Sequence, residues 1–84
     1  MADNKSSFTF EIKETIEVLS SNRTGWNREL NIVSWNGNKP KYDIRDWSPD
    51  HSKMGKGISL TADELNLLKE VLSEVDPYDL DNYN

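Results

Sequence analysis

Three residues on one predicted strand have the types that bind unpaired nucleic acid. In the run KYDIRDW, Lys41, Arg45 and Trp47 fall on odd positions, so in an extended chain they share one face. Cations of this kind neutralise phosphates, and a tryptophan ring stacks on an unpaired base with about 1–3 kcal/mol. With Tyr42 and Ile44 on the opposite, core-facing side, the pattern predicts an exposed platform for a single strand.

Further candidates flank this strand. If Leu30 and Ile32 point to the core, Trp35 lies on the platform face, whereas the alternative is a cross-strand pair of Trp35 with Trp47 that closes the hairpin. Trp26 shares the parity of Leu30, which favours packing in the core over the alternative of a surface position. Loop lysines beside the platform either contact phosphates or only improve solubility. The candidate nucleic-acid-binding set is Arg28, Trp35, Asn36, Lys39, Lys41, Arg45, Trp47, Lys53 and Lys56.

The sequence predicts no catalytic or metal site and no cofactor. The single histidine, His51, lies in a polar loop and is interpreted as a solvated residue. Asp43 and Asp46 are three apart on a strand and so face opposite sides, which prevents a carboxylate pair. The chain has no cysteine, which excludes a thiol nucleophile and a cysteine-based zinc site. We therefore expect a binding protein rather than an enzyme.

The charge distribution supports a nucleic-acid ligand although the net charge is −5. Residues 1–21 carry −2, residues 22–60 carry +3 and residues 61–84 carry −6, so an acidic C-terminal third masks a basic middle. The length of 84 residues corresponds to one small domain. We expect a disordered start over 1–7, a binding domain over 8–75 and an acidic tail over 76–84, which either docks or stays solvated.

Four strands and one helix are predicted. Residues 8–19 alternate apolar and polar side chains as a strand does, although a helical stripe also fits them. Strands over 26–35 and 41–47 flank Asn36-Gly37, a strong signal for a type I′ hairpin turn. A short fourth strand over 58–60 precedes Thr61-Ala62-Asp63-Glu64, a capping box that starts a helix.

The apolar arc of this helix predicts an oligomer. Six apolar residues between 65 and 75 cover about 160° of its circumference, more than an ordinary surface helix buries. The alternative is simple burial against the chain's own sheet. We favour a homodimer, because so small a sheet cannot easily cover the whole arc. The predicted dimer contacts are Leu65, Leu68, Leu72 and Val75.

The segment KYDIRDWSPDHSKMGKGISLTADELNLL resembles the transcriptional positive cofactor four family of single-stranded-DNA-binding coactivators, and in particular its short bacterial homologues. The signatures are DIRDW, the loop with proline and acids, GKGISL and the helix that follows at once. The resemblance implies an α+β protomer, a curved four-stranded antiparallel sheet followed by one C-terminal helix (ββββα), which dimerises. It also implies binding roles for Trp35, Lys39, Arg45 and Lys56. Ser48 stands where the family has the second of two aromatics.

Together these features predict a homodimeric, sequence-nonspecific single-stranded DNA-binding protein that acts in transcription regulation, with replication or repair as further settings. The alternatives are a single-stranded RNA binder and an interaction module for a protein of the transcription machinery. There is no signal peptide and no apolar run near the ~18 residues that span a membrane. We therefore expect no membrane partner and a cytoplasmic location, with association with the nucleoid as the alternative.

Overall fold

The computed structural model describes residues 8–83, so the predicted disordered start over 1–7 lies outside the described residues. The elements follow in the order β1 (Phe10–Ser21), β2 (Asn27–Trp35), β3 (Lys41–Trp47), β4 (Met54–Leu60) and α1 (Ala62–Leu72). A short 3₁₀ turn, Asp79–Asn82, forms in the acidic tail. The ββββα prediction is confirmed, and β1 is a strand rather than a helix.

The four strands form one antiparallel sheet in the order β1-β2-β3-β4. At the β2–β3 turn, Asn36 has φ of 52° and Gly37 has φ of 73°, as the predicted type I′ turn requires. The register of β1 against β2 shifts at three places. Such irregularities bend a strand and increase its twist.

Ring contacts show that the sheet curls strongly. Phe10 pairs with Trp35 at one end of β2, and Trp47 pairs with Asn27 at the other end. Eight residues of strand span about 27 Å, yet the ring centroids of Phe10 and Trp47 are 5.2 Å apart. The sheet must therefore fold over the side chains of one face.

The face enclosed by this curl is the one that carries Arg45, and we call it the inner face. The hydrophobic core of the described residues consists of Val33 and Trp47, both 0% exposed and both on the inner face. The prediction that Tyr42 and Ile44 face the core, opposite a solvent-exposed platform, is wrong, because both are only half-buried on the outer face. Curvature, rather than hydropathy, decides which side is enclosed.

The helix begins as predicted. Thr61 Oγ1 accepts a hydrogen bond from the Glu64 backbone N–H, and the Glu64 side chain accepts one from the Thr61 N–H, which completes the capping box. Leu65 and Leu68 are half-buried, whereas the remaining apolar side chains of the arc are exposed. Those at least half exposed are Leu67, Val71, Leu72 and Val75. No helix among residues 8–83 is long and apolar enough to cross a membrane.

Candidate nucleic-acid interface

A chain of hydrogen bonds fixes Trp35 on the inner face. The indole Nε1–H of Trp35 donates to Ser59 Oγ at 3.1 Å, and Ser59 Oγ–H donates to Asp43 Oδ2 at 2.8 Å. Asp43 also accepts two hydrogen bonds from Arg45, at 2.7 Å from Nε and 2.8 Å from Nη2. Asp43 is fully buried, so its charge is satisfied within the protein by this bidentate pair.

Arg45 completes the support of Trp35 from a second direction. Its guanidinium carbon lies 4.6 Å from the centroid of the Trp35 ring, a distance typical of a cation–π contact. Gly57 leaves the space that this arrangement needs, because a Cβ there would lie 2.3 Å from Arg45 Cβ and 2.3 Å from the Ile44 carbonyl oxygen. Arg45 therefore supports the Trp35 ring, with its charge compensated by Asp43 and its side chain 15% exposed.

A second Arg–Asp pair lies on the outer face. Arg28 Nε donates to Asp46 Oδ1 at 2.9 Å, and their side chains are 57% and 38% exposed. The hydrogen bond and the charge of Asp46 raise the pKa of Arg28 above its usual value. Because Arg28 and Arg45 lie on opposite faces, the structure does not bring these two predicted contact residues together. It does confirm that Asp43 and Asp46 face opposite sides.

Trp47 lies in the core rather than on a platform. Its ring packs 5.2 Å from Phe10 and 5.6 Å from His51, and no part of it is exposed. A base cannot reach a fully buried ring, so the expectation of an exposed stacking residue at this position is wrong for the described chain. The alternative of a direct pair with Trp35 is not the arrangement either, since Phe10 contacts both tryptophans.

His51 is not a simple solvated residue. Its Nε2 lies 3.0 Å from both carboxylate oxygens of Glu29, which is 2% exposed, and its backbone has φ of 60°. Asn31 Nδ2 donates to the same carboxylate at 3.0 Å. The loop after β3 thus places His51 over the inner face beside Trp47, where it satisfies a buried acid.

Asp50 holds that loop in shape. Its carboxylate accepts hydrogen bonds from the Ser52 N–H, the Ser52 hydroxyl and the Ser48 hydroxyl. These bonds, with the Ser52 backbone as the largest cause, lower the pKa of Asp50 to about 2. Trp26, predicted to be in the core, is half-buried and lines a shallow groove with Pro49 and Lys53 beside this loop.

Two phenylalanines surround Trp35 on the β1 side. The ring centroids of Phe8 and Phe10 lie 5.9 Å and 6.1 Å from that of Trp35, with Phe8 stacked and Phe10 tilted. Asn36 contributes indirectly, because its Oδ1 accepts a hydrogen bond from the Thr9 N–H at 2.9 Å and its own N–H donates to the Thr9 carbonyl at 2.8 Å. Asn36, predicted as a nucleic-acid contact, therefore ties the start of the described chain to the β2–β3 turn.

The exposed cations lie at both ends of the sheet. Lys39 and Lys41 are near the β2–β3 turn with Trp35, and Lys41 lies on the inner-face side of β3. Lys53 and Lys56 lie at the opposite end, before and within β4. Within residues 8–83 none of these four forms an ion pair within 4 Å, so their charges stay available to phosphates.

Sequence reasoning missed Glu29, Ser59 and Phe8 as parts of this site. Phe8 had a usable signal, since it alternates with Phe10 on one face of the predicted first strand. Glu29 and Ser59 had none, because their partners come from distant segments. The described residues hold no group of three or more side chains able to bind a metal ion.

Comparison with known proteins identifies a family and a relative. A family model described as Transcriptional Coactivator p15 (PC4) matches residues 22–71, which is more than half of the chain. An uncharacterized protein from Treponema pallidum (strain Nichols) is 48% identical over 73 residues, covering 84% of this chain and 86% of the relative. The matched span contains Trp35 and Arg45 with the lysines described above, whereas Phe8 and β1 precede it.

Proposed function

The chain belongs to the Transcriptional Coactivator p15 (PC4) family, and from this membership we propose that it binds single-stranded DNA without strong sequence preference and acts in transcription regulation. The observation that carries the proposal is the fixed, half-buried ring of Trp35, held by Ser59 and Arg45 on the inner-face side that also carries Lys41. A ring held in one orientation gives the aromatic end of the sheet a rigid support, so little conformational entropy is lost when a base binds there.

The exposed lysines supply the attraction for the backbone. Lys39 and Lys41 flank Trp35, so a strand whose base contacts the aromatic end places its phosphates near them. Lys53 and Lys56 supply two further positive charges at the other end of the sheet. Arg45, Asn36 and Trp47 act through the positions they give to neighbouring residues, and Arg28 lies on the outer face. Binding through phosphates and ring stacking explains a lack of sequence preference.

We also propose that the working unit is a homodimer. The radius of gyration is 15.8 Å, whereas a compact chain of this length has about 12 Å. The enclosed core contains only Val33 and Trp47 among the described residues, while Ile58 on the outer face is 55% exposed. The exposed arc of α1 adds to this surface, so a second copy would bury apolar area that one chain leaves in water.

Fluorescence titration tests the DNA-binding proposal. Oligo-dT and a duplex of the same length are added to the protein at two salt concentrations, and tryptophan emission is followed. We expect tighter binding of oligo-dT, and a salt dependence of log K with a slope of about 0.7 per phosphate contact. Lys41→Ala should weaken binding and reduce this slope, whereas Lys69→Ala, on exposed helix α1, is the matched control.

Equal affinity for the duplex and for oligo-dT would contradict the proposal, and insensitivity to Lys41→Ala would favour an interaction module for a transcription-machinery protein. An equal affinity for oligo-rU would extend the ligand to RNA, since both nucleic acids offer bases and phosphates. Light scattering on the same samples tests the dimer, with twice the chain mass of 9.7 kDa expected for the free protein. A mass of one chain at micromolar concentration would overturn the dimer but not DNA binding.

A further inference from the structure

We propose that Phe8 is the ring on which an unpaired base stacks, with Trp35 as its support from behind. This inference rests on the proposed single-strand binding and adds a contact residue that precedes the segment matched by the family model. In this arrangement a base of the ligand, rather than a phosphate, contacts the start of the described chain.

The two flanks of Trp35 are both occupied. Phe8 stacks on it at 5.9 Å with an interplanar angle of 28°, and the Arg45 guanidinium lies 4.6 Å from its centroid. In the strand order β1-β2-β3, Phe8 comes from the β1 side and Arg45 from the β3 side. A base therefore cannot enter between Trp35 and either neighbour without displacing it.

Phe8 is the most accessible of the three rings in this cluster. It is 59% exposed, which is more than Trp35 or Phe10, both of which are half-buried. Stacked on Trp35 by one side, it can present the other to a planar ligand. An exposed aromatic beside exposed lysines combines the two features that single-strand binding requires.

The position of Phe8 is set before a ligand arrives. The pair of hydrogen bonds between Thr9 and Asn36, at 2.9 Å and 2.8 Å, fastens the adjacent backbone to the β2–β3 turn. Phe10 also lies against the Phe8 ring, with centroids 6.4 Å apart. Because the ring is already ordered, most of the stacking energy can appear as affinity.

A nucleobase fits this position better than an apolar protein side chain. Lys39 and Lys41 lie at the same end of the sheet, so a polyanion with flat rings matches both the charge and the shape of the surface. Phe8 could have two other roles, each of which predicts a different binding result. One is a lid that must leave Trp35 before a base binds, and the other is an apolar contact with a second copy of the chain.

The test compares Phe8→Ala, Phe8→Leu and Phe8→Tyr with the unmodified protein in oligo-dT binding. We expect about a tenfold loss for Phe8→Ala, a similar loss for Phe8→Leu and retained affinity for Phe8→Tyr, because stacking needs a flat ring. Leu19→Ala, which removes a 52% exposed side chain from β1, should bind like the unmodified protein. An abasic oligonucleotide should bind the unmodified protein and Phe8→Ala equally, because it has phosphates but no bases.

Any other result would contradict the stacking role of Phe8. Tighter binding by Phe8→Ala would identify a lid, and unchanged binding, or full affinity of Phe8→Leu, would remove the stacking role. Equal loss with the abasic strand, or a lowered mass in light scattering, would indicate a structural or dimer contact instead. If the unmodified protein itself fails to bind oligo-dT, the proposed function fails, which is a separate result from a Phe8 variant that behaves like its parent.

Discussion

The two tryptophans on the inner face show how one curled sheet gives the same side chain two tasks. Trp35, at the β2–β3 turn, keeps a half-buried ring whose N–H is bound to Ser59. Trp47, at the other end, is completely enclosed between Phe10 and the loop that carries His51. The difference teaches that the end of the sheet around Trp47 forms the hydrophobic core, whereas the end at the β2–β3 turn leaves its aromatic side chains partly accessible.

The two Arg–Asp pairs on opposite faces of the sheet also differ in burial. Arg45 and Asp43, on the inner face, have side chains 15% and 0% exposed. Arg28 and Asp46, on the outer face, have 57% and 38%. When one partner of a buried pair is removed, the remaining charge is left unpaired in the protein at a large cost. In an exposed pair, water solvates the charge that remains.

The largest expected effect is the loss of stability in Trp47→Ala. Removal of a fully buried tryptophan should lower the free energy of unfolding by about 3–5 kcal/mol, measured by urea denaturation. In Trp35→Ala, a half-buried ring is lost, so the stability change should be smaller. Oligo-dT affinity should fall by about tenfold, because Phe8 loses the ring that supports it. Equal destabilisation by both changes would break the division between a core end and a binding end.

If Trp47→Ala fails to fold, Trp47→Phe keeps most of the packing and gives the same comparison. This variant should retain the quenching of tryptophan emission by oligo-dT, since Trp47 has no exposed ring for a base. Trp35→Phe should lose most of the quenching. Loss of the signal in Trp47→Phe alone would place the base at the wrong end of the sheet for our proposal.

The next effect separates the two faces. Asp43→Ala removes the carboxylate that accepts hydrogen bonds from Arg45 and Ser59, and we expect a loss of about 3 kcal/mol in urea denaturation. Asp46→Ala breaks the exposed pair and should cost less than about 1 kcal/mol. Similar losses for the two variants would show that the inner face is as hydrated as the outer one.

The smallest expected effect is on the pH dependence of stability, and it comes from Asp50 in the loop over Trp47. The folded pKa of Asp50 is about 2, below its usual value of 3.8. The charged form therefore adds stability above pH 3.8 that declines as the pH falls through about 2. Asp50→Asn should flatten this part of a stability-against-pH curve, and an identical acid transition in both proteins would contradict the role of Asp50 in holding the loop.

The sequence determined the strands, the turn and the start of the helix, because each of these depends on residues that are neighbours along the chain. Alternating side chains define β1 and β3, positive φ at Asn36 and Gly37 suits the turn, and Thr61 with Glu64 caps the helix. Boundaries were less exact. The strand predicted over 58–60 begins at Met54, because cross-strand pairing with β3 overrides the low strand preference of glycine.

Only the tertiary structure decided which face is enclosed and which ring is accessible. Parity correctly placed Arg45 and Trp47 on one side of β3, but alternation cannot tell whether the sheet curls toward that side or away from it. The curl brings Phe10 to Trp47, Arg45 to Trp35 and His51 to Glu29, across long separations in sequence. Those contacts bury one tryptophan and leave the other to Phe8 and the lysines, because burial depends on three-dimensional curvature that no local pattern records.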